Sequence, residues 1–151
     1  MKSITPGFAG ALLAMSMAGP LPALAEQGPT DVQVTDLKVG DGAEVRRGWF
    51  AIMHFTGWVY DEQSPEHKGR QFVDSRERGK PTTFVYGYQR ALIGVEKGML
   101  GMKVGGKRTI VVPEKLGYDD VKYPTPKDVP PKSALVFDVE LLDVVPQQNS
   151  N

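Results

Sequence analysis

Cysteine is absent from the 151 residues. That excludes a disulfide framework, thiol nucleophiles, zinc-thiolate sites and a lipidated N-terminal cysteine. Histidine is nearly absent: His54 and His67 are the only two. A metal site would have to rest on carboxylates, and no paired spacing supports one, so neither a metal nor a cofactor is expected. Charge of one sign is missing too, with 18 basic against 18 acidic residues. No net field therefore favours nucleic acid or an anionic membrane. No uninterrupted apolar run reaches the roughly 20 residues that span a bilayer.

What is present begins with a targeting segment at residues 1–25. Lys2 opens it, Ile4 to Ala18 is mostly apolar, Pro20 and Pro22 break the run, and Ala23-Leu24-Ala25 offers the small residues a signal peptidase reads. Cleavage before Glu26 and export are expected, to a periplasm, a secreted state or a thylakoid lumen, with no membrane attachment afterwards; the single charge ahead of the apolar run leaves an uncleaved anchor as the alternative. Losing Lys2 from the balanced charges leaves a mature net charge of −1. The remainder suffices for one domain with a modest core.

The informative stretch is Gly87 to Pro113. Ala91, Leu92, Val95 and Met99 recur at the spacing that places side chains on one helix face. Gly94, Gly98 and Gly101 each cost such a helix about 1 kcal/mol relative to Ala, so it should be short and held by burial. Gly105-Gly106 predicts a tight turn, and Arg108 to Val112 a β-branched strand. Gly101, Gly106 and Lys107 imitate a phosphate loop, but Arg108 replaces the Ser or Thr that ligates magnesium. The helix also precedes the strand, the reverse of that motif, so a Gly-rich turn is the reading.

Elsewhere Val32, Val34 and Leu37 mark a strand ending at Gly40-Asp41-Gly42, and Trp49 to Tyr60 a second strand with Ala51, Met53 and Phe55 on one face. His54 lies on the other face and reads as a satisfied or solvent-facing sheet residue rather than a catalytic base. Asp61 to Gly69 is a polar loop, Arg70 to Val73 is strand-like, Asp74 to Pro81 is a charged bend, and Thr82 to Tyr86 leads into the helix. Pro113 to Ser133 carries five of the 12 prolines and no clear element; its length fits either a functional loop or a solvated linker. Leu135, Phe137, Val139 and Leu141 alternate with Val136, Asp138 and Glu140 as a last strand, and a polar tail follows Pro146. The class expected is α+β: an antiparallel sheet covering one short helix. The boundaries expected are an N-terminal strand and arm over 26–46, the domain over 47–145 and a tail over 146–151.

His54-Phe55-Thr56-Gly57, Phe72, Arg76 to Pro81, Gly98 to Arg108, Val129-Pro130-Pro131 and Ala134 to Leu141 together resemble the FKBP-type peptidyl-prolyl cis-trans isomerases. The resemblance covers most of Val32 to Val144. It implies a curved antiparallel sheet wrapped on a short helix, with an apolar pocket for a proline ring. It implies Tyr118, Phe72 and Phe137 as catalytic residues, the two Phe as walls and the Tyr118 hydroxyl bonding a substrate carbonyl. Phe55, Ala91, Leu92, Val95 and Val129 would complete the lining; from residue type alone the apolar members read as core. Proline-containing clients and macrolide inhibitors are the partners implied, and a monomer is expected. Three positions depart from the family: Phe55 where Tyr is frequent, Val73 where Asp is frequent, and Val95 where the aromatic floor, commonly Trp, stands. Asp119 also replaces a usual Gly, and the loop before Val129 is about two residues longer. A one-residue slip would put Val73 on the pocket face and let Asp74 substitute for the missing Asp. The rival to an isomerase is a proline-binding module or holdase-type chaperone; a weaker third is an envelope-complex subunit using the 61–69 loop.

Overall fold

The computed structural model describes residues 28–118 and 124–148. The targeting segment, Asp119 and the last three residues lie outside them. Six strands form one antiparallel sheet: β1 (Gln33–Lys38), β2 (Trp49–Tyr60), β3 (Lys68–Asp74), β4 (Thr82–Val85), β5 (Lys107–Val112) and β6 (Leu135–Pro146). The order is β1-β5-β6-β2-β3, with β4 pairing the first half of β2 and β3 the second half. The sheet is α+β in the expected sense, covering one helix, α1 (Ile93–Gly98).

The period-two pattern of β2 and β6 produces this arrangement. Ala51, Met53, Leu135, Phe137, Val139 and Leu141 point to the concave side, each no more than 3% exposed. A bulge between Ile52 and Met53 adds one residue to the partner strand, so Val144 rejoins the same face opposite Ala51. On the convex side Lys68 pairs with Asp138 at 2.9 Å, and Lys107 and Arg76 both pair with Glu140. His54 sits there as well, its Nδ1 2.9 Å from the buried Ser75 hydroxyl, a satisfied sheet residue.

β1 departs from the core pattern. It pairs with β5 as an edge strand, and Val34 and Leu37 stay 50% and 53% exposed because α1 does not extend over them. Two elements are larger than their sequence signal. β3 begins at Lys68 rather than Arg70, and Thr82–Val85 is a true strand rather than a lead into the helix.

The helix has six residues and buries Val95, with Leu92 and Met99 buried at its two ends. Its glycines prove to be the condition for packing. A Cβ on Gly98 would stand 2.3 Å from Ile110 Cγ2, and one on Gly94 2.4 Å from Val112 Cγ1. The backbone of α1 therefore lies directly on β5. Arg108, the residue that breaks the phosphate-loop imitation, closes the helix instead. Its Nη1 donates to the carbonyls of Gly98 and Leu100, both at 2.9 Å, while Nε donates to Asp36. A cation on the last carbonyls also meets the negative end of the helix.

Candidate functional site

Between the concave face, α1 and the segment ending at Tyr118 lies a cavity of about 250 Å³. Its lining is largely apolar: Met53 and Phe55 from β2, Phe84 from β4, Ala91, Leu92 and Val95 at the helix, Tyr118, and Phe137 from β6. Thr82, Thr83 and Arg90 add the polar edge. Val95, only 5% exposed, lines the helix side.

Of the residues singled out from sequence, Phe55, Ala91, Leu92, Val95, Tyr118 and Phe137 are brought together here. The others are placed differently. Phe72 packs its ring edge-on against two lining rings, Phe137 (centroids 5.9 Å apart, 84° between planes) and Tyr118 (6.1 Å, 75°). Val129 is buried in the core cluster, outside the lining. Asp74 accepts the Arg76 backbone N–H at 2.8 Å and so caps the charged bend instead of entering the cavity.

The backbone resolves the choice between Phe72 and Val73. Gly57 pairs with Val73 and Trp58 with Gln71, which leaves Phe72 as the extra residue of a bulge. Both side chains then reach the Gly57 side of the sheet. A Cβ on Gly57 would lie 2.8 Å from Val73 Cγ1, 2.8 Å from Phe137 Cε1 and 3.0 Å from Phe72 Cζ. Glycine at this position is what lets the three side chains converge.

The mouth is organised by a residue that pattern reading missed. Glu96 is buried, and its carboxylate accepts four backbone N–H groups. Gly87 and Gln89 donate to Oε2 at 3.0 and 3.1 Å, Arg90 and Ala91 to Oε1 at 2.7 and 3.0 Å. The Tyr86 hydroxyl donates to the Glu96 carbonyl at 3.0 Å. The 87–91 loop is thereby wound onto the helix, including Gln89 at φ +53°, an uncommon backbone state for a residue other than glycine. A signal was available. Glu96 is the only acid between Glu77 and Glu114, and it stands four residues after Leu92 and three before Met99 on the apolar stripe.

Tyr118 is half-buried, and burial raises its phenol above the ordinary value of 10.0, with Arg78 acting in the opposite direction. It is neutral at physiological pH and able to donate. The Arg78 guanidinium lies 5.7 Å from the Phe55 ring centroid. No cluster of His, Asp or Glu able to hold a metal occurs among the described residues. The arrangement offers an apolar recess with one phenolic donor.

The chain matches the model of the FKBP-type peptidyl-prolyl cis-trans isomerases over residues 41–142. An FK506-binding protein of Neisseria meningitidis serogroup B is 34% identical over 111 residues, which are 74% of this chain and 94% of that protein. FK506-binding protein 2B of Rhizopus delemar is 36% identical over 140 residues, covering 90% and 63%. Among solved structures, FkpA from Escherichia coli superposes with a TM-score of 0.63 at 31% identity over 76% of this chain and 48% of FkpA. AtFKBP13 does so with a TM-score of 0.61 at 30% identity, over 74% and 91%. The short helix, the curved antiparallel sheet and the extent of these matches lead to one conclusion: the chain belongs to the FKBP-type peptidyl-prolyl cis-trans isomerase family.

Proposed function

We propose that the protein is an exported peptidyl-prolyl isomerase that accelerates X–Pro rotation in partly folded, proline-containing chains. One observation carries the reading: the aromatic recess of about 250 Å³ lined by Val95 and Tyr118. Rotation about the amide breaks no covalent bond, so a nucleophile, metal or acid–base pair is unnecessary. The obstacle is amide resonance, a barrier of about 18–20 kcal/mol, which makes the unaided reaction take tens to hundreds of seconds. Resonance concentrates negative charge on the carbonyl oxygen, and water stabilises that planar form. A recess walled by Phe55, Phe137 and Phe84 withdraws the water and favours the twisted, less polar amide. The Tyr118 hydroxyl fixes register by donating to a neighbouring substrate carbonyl. Export rests on the character of residues 1–25, and macrolide binding on the same recess.

Val95 favours a second reading, a proline-binding module or holdase without efficient catalysis. A valine leaves the floor wider than the aromatic residue usual in the family. The test is a proline-limited refolding assay together with a Leu-Pro peptide assay on the mature chain. Acceleration of both is expected. Rates equal to buffer at micromolar protein, with peptide binding intact, would leave the binding module. Val95→Trp sharpens the distinction. It should raise kcat/KM several-fold, at a stability cost of about 1–3 kcal/mol from overpacking; no gain with the fold retained would remove the floor from the argument. N-terminal sequencing of exported material should begin at Glu26, and a start at Met1 would overturn export by cleavage.

A further inference from the structure

The cavity is apolar inside but not neutral at its mouth. Arg90 lines it, and among the described residues no carboxylate does. The Arg78 guanidinium stands over Phe55, a lining residue, and close enough to Tyr118 to oppose the effect of burial on its phenol. Four other cations are neutralised: Lys68 by Glu66 and Asp138, Arg76 and Lys107 by Glu140, Arg108 by Asp36. Arg78 and Arg90 have no ion-pair partner among the described residues.

Among the described residues, three acids near the mouth are committed to other donors. Asp74 accepts the Arg76 N–H, Glu77 accepts from Gln71 Nε2 at 3.3 Å, and Glu96 is saturated by four backbone amides. At the cavity wall itself, the residue after Phe72 is Val73, which contributes no charge. Arg78 and Arg90 thus stand at an apolar recess whose lining, among the described residues, holds no acid to balance them. Such groups suit a carboxylate by charge and by their forked donor geometry.

We propose that Arg78 and Arg90 form a specificity-determining rim that selects proline-containing chains carrying an acidic side chain beside the proline. The inference rests on the isomerase reading of the same cavity and names its substrate class. With the proline ring in the recess, the residue preceding it emerges at the mouth, where a Glu or Asp carboxylate meets the guanidinium groups. That side chain is carried by the half of the amide that rotates against the seated ring, so the contact can act in ground and transition states alike, and the preference is read in kcat/KM.

The experiment uses the mature chain and four peptides that differ only in the residue before proline: Glu, Gln, Lys and Leu. At low ionic strength kcat/KM for Glu-Pro should exceed that for Gln-Pro about three- to fivefold, the scale of partly exposed ion pairs. Lys-Pro should fall below Gln-Pro. The Glu-to-Gln ratio should move toward one at about 0.5 M salt, where screening acts within a few ångströms. Arg78→Gln and Arg90→Gln should each lower the ratio and together abolish it, while Arg46→Gln, whose guanidinium sits over Trp49, should not change it. A wild-type ratio at or below one, or a ratio that survives the double replacement, would overturn the rim while leaving the isomerase reading intact if Leu-Pro is accelerated. If no peptide is accelerated, binding of the Glu and Gln peptides followed by NMR shift titration decides the rim separately. The same preference in affinity would uphold it, and equal affinities would overturn it.

Discussion

The floor and the mouth of the cavity are built on different physical principles. The floor and walls are a packed apolar surface: Val95, Phe137 and Met53 are each no more than 5% exposed and come from elements whose residues alternate or recur with the expected period. Their positions follow from burial, and no hydrogen bond sets them. The mouth is irregular backbone wound around one carboxylate, with Tyr118, Arg78 and Arg90 at its edge. An apolar surface can hold a proline ring but is indifferent to orientation. A polar rim can orient a chain but cannot exclude water. The site needs both, and the two should fail differently.

The largest effect is expected at the mouth. Glu96→Ala removes the acceptor of four part-buried backbone N–H groups, and each group left unsatisfied away from water costs about 1–3 kcal/mol. Relaxation of the loop will return part of that, so a loss of about 3 kcal/mol or more is expected by chemical denaturation, with kcat/KM falling at least tenfold. A variant of near wild-type stability and activity would show that the carboxylate does not organise the loop.

Gly98→Ala tests the floor. Helix propensity alone predicts a gain of about 1 kcal/mol. The new Cβ would stand 2.3 Å from Ile110 Cγ2, so α1 must lift from β5, and a net loss of about 1–3 kcal/mol is expected instead. Stabilisation in a urea titration would mean that α1 is not seated on the sheet.

Tyr118→Phe should cost the mouth one neutral hydrogen bond to substrate, worth about 0.5–1.5 kcal/mol. That is a three- to tenfold drop in kcat/KM with little change in stability. Unchanged activity would remove the phenol from the proposed mechanism.

The smallest effect is a pH dependence. Burial raises the phenols of Tyr86 and Tyr118 above 10.0, with Glu96 adding to the effect on Tyr86. A group whose folded value is raised holds its stabilising contribution below the unfolded value and loses it as pH climbs through the folded one. Stability should therefore be flat from neutral pH to about 9 and fall above about 10. Tyr118→Phe should reduce that fall, which a series of denaturation midpoints can measure.

Much of the floor was legible in the sequence because burial imposes a period. The limits of β2 coincide with the Trp49–Tyr60 run, and Val95, Leu92 and Met99 were readable as one helix face. β4 was not, since four residues are too few for a period to emerge and its identity depends on pairing with β2. The mouth was hardly legible. Tyr118 came from a family resemblance, and Glu96 could have been suspected only as a charge on an apolar stripe.

By itself, then, the order of residues determined the fold class, the single short helix, the run of alternating strands and the absence of thiol chemistry. These depend on local periodicity and composition, which survive in one dimension. Only the tertiary structure decided that Gly94 and Gly98 serve contact rather than weaken the helix, and that Phe72 and Val73 share a face across a bulge. It also decided that Phe72 meets Phe137 and Tyr118 edge-on and that Arg78 overlooks the cavity unpaired among the described residues. Each of these is a distance between segments far apart in the chain, set by strand register and by the absence of a Cβ at one crossing point.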